Sequence, residues 1–151
     1  MRDGWKDEPA TSGGCQCGAV RYAVDAGPAK STVGHCRMCQ RATGNAFAPL
    51  FEVMASAVRW DGTPTTWASS DECVRGFCAS CGTPLFYRGI TRDTVEIMAG
   101  TLRHGFAYRP IANHGVESRM GWLATLHSLR DRETFFAPGD TITPRQSPEG
   151  P

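Results

Sequence analysis

Two cysteine pairs, Cys15-x-Cys17 and Cys78-x-x-Cys81 followed by Gly82, constrain this chain more than any other feature. They lie about sixty residues apart, so a centre that uses both must join distant parts of the chain. Residues two apart in an extended segment point to the same side, which lets Cys15 and Cys17 face one ion. A C-x-x-C turn with a following glycine supplies the other half, the glycine permitting tight backbone around a metal. Four thiolates at about 2.3 Å in a tetrahedron would tie the start of the domain to its middle as a structural zinc site. The competing reading is two pairs of ordinary buried cysteines, or disulfides.

Compartment bears on that choice. The opening residues 1–9, MRDGWKDEP, are too polar for the apolar stretch of a signal peptide, and no apolar run approaches a membrane helix. A cytoplasmic location is therefore expected. Seven cysteines in a reducing compartment, an odd number, point to metal ligands over disulfides. With 40% hydrophobic and 21% charged residues, the 151-residue chain reads as one globular domain able to bury a core. A net charge of +1 without a basic stripe gives no footprint for nucleic acid.

Residues 1–12 read as a flexible lead-in, 13–136 as the zinc-binding domain, and 137–151 as a flexible Pro-rich tail. Between the ends, short strands are expected at 19–24, 47–54, 57–60, 65–69, 73–77, 84–87 and 94–99, separated by Gly, Pro and Asp turns. This spacing of roughly ten residues predicts a mainly β, sandwich-like fold. One or two short helices accompany it. Residues 36–43 lack Gly and Pro and stop at Gly44, and residues 121–129 put Trp122, Leu126 and Leu129 on one face. Trp60, Trp67 and Trp122 read as core or sheet-packing residues.

A second cluster follows the sequence Gly34-His35-Cys36-Arg37-Met38-Cys39. Cys36 and Cys39 are three apart, as in one helical turn or a metal knuckle. They offer two thiolates, and further ligands could come from His35, from Cys73 or from a substrate thiol. In an extended approach His35 points away from Cys36, and Cys73 points away from Cys78. The plainer readings are a hydrogen-bonded structural histidine and a small buried thiol. His104, His114 and His127 fall outside any recognisable ligand spacing.

In order, the motifs are Gly14-Cys15-x-Cys17-Gly18-Ala19-Val20-Arg21-Tyr22, His35-Cys36-x-x-Cys39-Gln40-Arg41-x-Thr43-Gly44, Ser69-Ser70 and Arg75-Gly76-Phe77-Cys78-x-x-Cys81-Gly82-Thr83-Pro84-Leu85. Glu117-Ser118-Arg119 and Trp122 come near the end. This series resembles the glutathione-dependent formaldehyde-activating enzyme family, which shares its domain with the centromere protein V group. The resemblance implies an Mss4-like, zinc-stabilised β-sandwich or β-tent with a structural zinc on Cys15, Cys17, Cys78 and Cys81. It also implies a catalytic zinc on a C-H-C-x-x-C motif and a carbon–sulfur lyase that joins a glutathione-like thiol to an aldehyde.

The chain departs from that motif at its first cysteine, which is Gly34 here. Cys36 and Cys39 remain as the catalytic and metal candidates, with His35 or Cys73 as possible recruits. A two-thiolate site holds zinc weakly or not at all, because structural affinities of about 10–16 kcal/mol assume a full ligand set. Arg37 and Arg41 flank the cluster and could attract the carboxylates of a thiol substrate, with Asn45 at the same rim. The alternatives for these three are solvated arginines and a turn residue. Two functions thus compete: the lyase, and a zinc-stabilised binding module whose second metal site is degenerate. A thiol-redox role for Cys36-x-x-Cys39 fits the spacing but lacks the βαβ pattern around it.

Overall fold

The computed structural model describes residues 2–134, 139 and 141–148. In chain order the strands are β1 (Lys6–Glu8), β2 (Thr11–Gly14), β3 (Arg21–Val24) and β4 (Gly27–Gly34). Helix α1 (Arg37–Thr43) follows, then β5 (Ala48–Met54), β6 (Val58–Asp61), β7 (Thr65–Ala68) and β8 (Cys73–Phe77). The series closes with β9 (Pro84–Gly89), β10 (Thr94–Met98) and β11 (Asn113–His114). The large sheet runs β1-β4-β5-β10-β9-β8-β7, and β2-β3-β6 form a smaller one. The architecture is mainly β, as expected.

Alternation within the strands decides what each face of the large sheet does. Ala29, Ser31, Phe51, Val53, Val95, Ile97 and Phe86 face inward and are buried. Val20, Tyr22 and Val24, in and just before β3, pack against this layer. Trp60 on β6 links the sheets, its ring 5.3 Å from Tyr22 and 5.5 Å from Phe86. Phe51, Leu85 and Ile97 sit at the centre with almost no exposed surface. Burial of each is worth about 1.5–3 kcal/mol. The other face of the large sheet carries α1 at one end and charged residues beside it.

Helix α1 begins where expected. Cys36 caps it, the Cys39 N–H donating to Cys36 Sγ at 3.1 Å. It stops at Gly44, whose φ of 62° allows its N–H to reach the Gln40 carbonyl. Gln40 is buried, and its side-chain amide donates to the His35 and Ser118 carbonyls, both at 2.8 Å. These bonds join α1 to the segment after β11.

Several expectations need correction. The lead-in holds strand β1, which pairs with the start of β4, and Trp5 is 6% exposed beneath Lys30 and Arg2. A single aromatic anchor and three cross-strand residue pairs tie down a segment that composition alone reads as loose. Residues 121–128 form the second short helix, in 3-10 form, with no side-chain cap at its start. Its apolar stripe faces outward, with Trp122, Leu126 and Leu129 all exposed. Trp67, on the edge strand β7, is 63% exposed and is not a core residue.

Of the stretch read as a tail, residues 137, 138, 140 and 149–151 lie outside the described residues. Ser147 donates its N–H to the Gln16 carbonyl at 2.7 Å, docking against the first cysteine turn. Among the described residues, no helix is long and apolar enough to cross a membrane.

Candidate functional site

The Cys15-x-Cys17 and Cys78-x-x-Cys81 turns meet as the sequence predicts. Their four sulfurs lie within 4.8 Å of one another. Cys15 and Cys17 are 3.6 Å apart and Cys17 and Cys78 3.8 Å. A tetrahedron with bonds of about 2.3 Å has edges of about 3.8 Å, so the spacing fits a four-coordinate ion held by thiolates. Two tight turns build it. Gly18 follows Cys17 at φ 82° and Gly82 follows Cys81 at φ 77°, conformations that a side chain would strain. The Val20 N–H donates to Cys15 Sγ at 3.3 Å, and the Gly82 N–H to the Cys78 carbonyl at 2.8 Å.

Proton affinities within the cluster diverge. Burial pushes the Cys81 thiol up, but hydrogen bonds from Thr83 and Cys17 outweigh it and bring it down to about 6. The Ala19 amide pulls Cys17 down, while desolvation and the neighbouring thiols push it up to about 11. Negative charge on some thiols therefore opposes ionisation of the rest, and a bound cation removes that opposition.

The second cluster is built differently. Cys36 and Cys39 stand 5.1 Å apart at Cα and are joined by a disulfide. Gly34 sits across from them, and a Cβ placed on it would come 3.1 Å from Cys39 Sγ. Position 34 is thus where a third thiol would stand. His35 is buried and turned elsewhere, its Nε2 sharing a hydrogen bond of 2.9 Å with Asn113 Oδ1 and its ring beside Phe47. Cys73 hydrogen-bonds the Tyr87 hydroxyl at 2.8 Å. Among the described residues, neither His35 nor Cys73 joins Cys36 and Cys39 in a metal-binding group.

A family model described as glutathione-dependent formaldehyde-activating enzyme matches residues 10–118, a span that contains both cysteine clusters. The chain belongs to that family. No curated protein matches it. The resemblance to that family implies a catalytic zinc at the second cluster. The donor set does not fit it. A closed or catalytic zinc site uses three or four protein ligands, whereas here the two sulfurs are bonded to each other and position 34 has no side chain to add.

Cys36 and Cys39 nevertheless line a cavity of about 400 Å³ between α1 and the open face of the large sheet. Strand register puts a row of side chains along its floor. Lys30 on β4 is opposite Glu52 on β5, Glu52 opposite Glu96 on β10, Glu96 opposite Tyr87 on β9, and Tyr87 opposite Arg75 on β8. Lys30 pairs with Glu52 at 3.0 Å, and the Arg75 guanidinium lies 4.9 Å from the Tyr87 ring centre. Burial, then the Glu52 charge, pushes Glu96 up to about 7 against the pull of Lys30, Arg75 and Arg92. His114 and Gly115 complete the rim. Gly115 must lack a side chain, because a Cβ there would come 2.7 Å from the Cys36 nitrogen.

Arg37, Arg41 and Asn45 are not in this pocket. They line a shallower one with Trp122 on another side of α1, since positions 37 and 41 share a helical face that 36 and 39 do not. Arg37 is bound to the Gln40 side chain, and Asn45 Oδ1 accepts the Ala46 N–H at 2.7 Å. The charged groups beside the cysteines are instead Lys30, Glu52, Arg75 and Glu96, none of them within five residues of Cys36 or Cys39 in sequence. An acid inside the apolar run Thr94–Met98 is the one local sign of them.

Proposed function

We propose that the protein makes or breaks the carbon–sulfur bond between a glutathione-like thiol and an aldehyde, in the pocket between α1 and the large sheet. Family membership supports the reaction class. The observation that carries the reading is the pocket itself, where two cationic and two carboxylate side chains stand beside Cys36 and Cys39. A peptide-like thiol carries carboxylates and an amine, and Arg75 and Lys30 suit the former as Glu52 suits the latter. Zinc on Cys15, Cys17, Cys78 and Cys81 has a structural role, holding the frame without reaching the pocket.

No step in this reading passes through a second metal. Glu96 supplies the proton transfers. As a carboxylate it takes the thiol proton, the sulfur attacks the aldehyde carbon, and the protonated acid returns the proton to the oxygen. Lyase action is the reverse, with the thiol and the free aldehyde as products. A group poised near neutral pH can serve both directions, and general acid–base help of this kind is worth about 10²–10⁴ in rate.

The test is magnetisation-exchange NMR between formaldehyde and glutathione with and without protein. Faster exchange that falls by about 10²-fold or more in Glu96→Gln supports the reading. No acceleration over a panel of thiols and aldehydes sinks it. The absent third thiol at position 34 favours a second reading, a binding module without catalysis. In that case glutathione saturates the pocket while exchange stays at the background rate.

A further inference from the structure

We propose that Cys36 and Cys39 are a reversible dithiol–disulfide couple, exchanging with low-molecular-weight disulfides that enter the pocket, where the family motif would otherwise hold a metal. The inference stands apart from the lyase reading, since it requires the cavity and two sulfurs but no aldehyde. It begins from the mismatch between the donor set and zinc. Position 34 offers no ligand, His35 is bound to Asn113, and Cys73 is bound to Tyr87. A thiol pair without further ligands keeps the option that a full metal site removes, which is to bond to itself.

Geometry supports that option. A Cα separation of 5.1 Å lies within the range a disulfide spans without backbone movement. The frame around the pair is fixed on both sides. Cys39 packs against Ala48, Leu50 and Met98, while Gly115 abuts the Cys36 backbone and Gln40 holds α1 to the segment behind it. Formation and rupture of the bond can therefore proceed on one scaffold. Access is equally direct, because both residues form part of the wall of the 400 Å³ cavity. Lys30 and Arg75 in the same wall match the carboxylates of a peptide disulfide such as oxidised glutathione.

The exchange balances without any other reactant. One protein thiol gives up its proton and its sulfur attacks the small disulfide. That bond breaks, and the departing sulfur takes a proton to leave as the first free thiol. The second protein sulfur then attacks the mixed disulfide, closes the Cys36–Cys39 bond and releases the second free thiol. The protein pair loses two electrons and two protons, and the small disulfide gains them.

The test uses the full chain with its metal in place, equilibrated in buffers of stepped reduced-to-oxidised glutathione ratio. Free thiols are then trapped by alkylation, and intact mass, peptide mapping and bound zinc are read together. The expected result is a reversible loss of two alkylated sites, mapped to Cys36 and Cys39, at unchanged zinc content. Cys73→Ser keeps this transition. Cys36→Ser and Cys39→Ser abolish it and in oxidised buffer hold at most one glutathione as a mixed disulfide. The proposal is overturned if the pair stays reduced at every ratio. It is also overturned if Cys15, Cys17, Cys78 or Cys81 oxidise first with loss of zinc, or if a second zinc shields Cys36 and Cys39 and is lost in Cys36→Ser or His114→Ala. Failure of the aldehyde assay leaves each of these readouts unaffected, so the two readings fail separately.

Discussion

At Cys15, Cys17, Cys78 and Cys81, two turns from distant parts of the chain bring four sulfurs around one point. At Cys36 and Cys39, one turn brings two sulfurs together; position 34 has no side chain to add a third ligand, and His35 and Cys73 are bound elsewhere. The side chain is the same in both places, so its identity does not decide the chemistry. The number of thiols that converge does. Four allow a cation to settle their mutual repulsion and close a long loop, which constrains the unfolded chain. Two leave each sulfur the other as its natural partner. The first cluster also stays out of the pocket lining, while the second forms part of its wall.

The largest effect separating the clusters is expected from Cys78→Ser. A structural thiolate site contributes about 10–16 kcal/mol of apparent binding free energy, comparable with or above the whole stability of a domain. The variant should lose zinc and cooperative unfolding by circular dichroism. A folded, metal-free Cys78→Ser protein contradicts the structural role. The matching change in the second cluster, Cys36→Ser, should leave zinc content and the fold intact.

Next in size is a conversion of one cluster toward the other. Gly34→Cys places a third thiol beside Cys39 and should raise zinc content by about one ion per chain, read by elemental analysis. The close 3.1 Å approach requires the Cys39 side chain to yield slightly. If a stably folded variant gains no metal, the missing thiol is not what separates the two clusters.

Much of this contrast could be read in advance, and the parts that could not share a cause. The four-thiol site followed from local spacing, since each pair is made by one turn. Strands β5, β8, β9 and β10 announced themselves through β-branched and aromatic residues. β4 did not, because Gly27, Pro28, Lys30, Ser31, Thr32 and Gly34 carry no apolar alternation, yet it is an interior strand of the large sheet, between β1 and β5. Its place comes from pairing with β5 and from small residues that let other elements approach. The pocket floor was hidden for the same reason. Lys30, Glu52, Glu96, Tyr87 and Arg75 come together only through the register of five strands. The arginines nearest the cysteines in sequence drew attention instead, although the turn of α1 carries them to another face.

A smaller effect should mark the pocket as the region where stability is given up. Glu96 has its folded-state affinity raised to about 7 from an ordinary 4.5, so between those values the native state holds a proton that the unfolded chain has released. Unfolding free energy therefore falls as pH rises through this window. Glu96→Gln, neutral throughout, should be more stable than the parent by about 1–3 kcal/mol above pH 7 in urea titrations. Below pH about 4 the difference should vanish. An equal gain at both ends of the range contradicts a buried, reluctant carboxylate.

The smallest change is expected at the arginine face of α1. Arg41→Ala should alter stability by no more than about 0.5 kcal/mol and leave glutathione binding unaffected, while Arg75→Ala weakens it in calorimetry. The reverse ranking would move the binding site to the Trp122 side of the helix.

Metal content of the purified protein, measured by elemental analysis against protein concentration, tests the separation of the two clusters most directly. One zinc per chain is expected, lost with any one of Cys15, Cys17, Cys78 or Cys81 and retained without Cys36 or Cys39. Two zincs per chain, the second lost with Cys36 or Cys39, would contradict it.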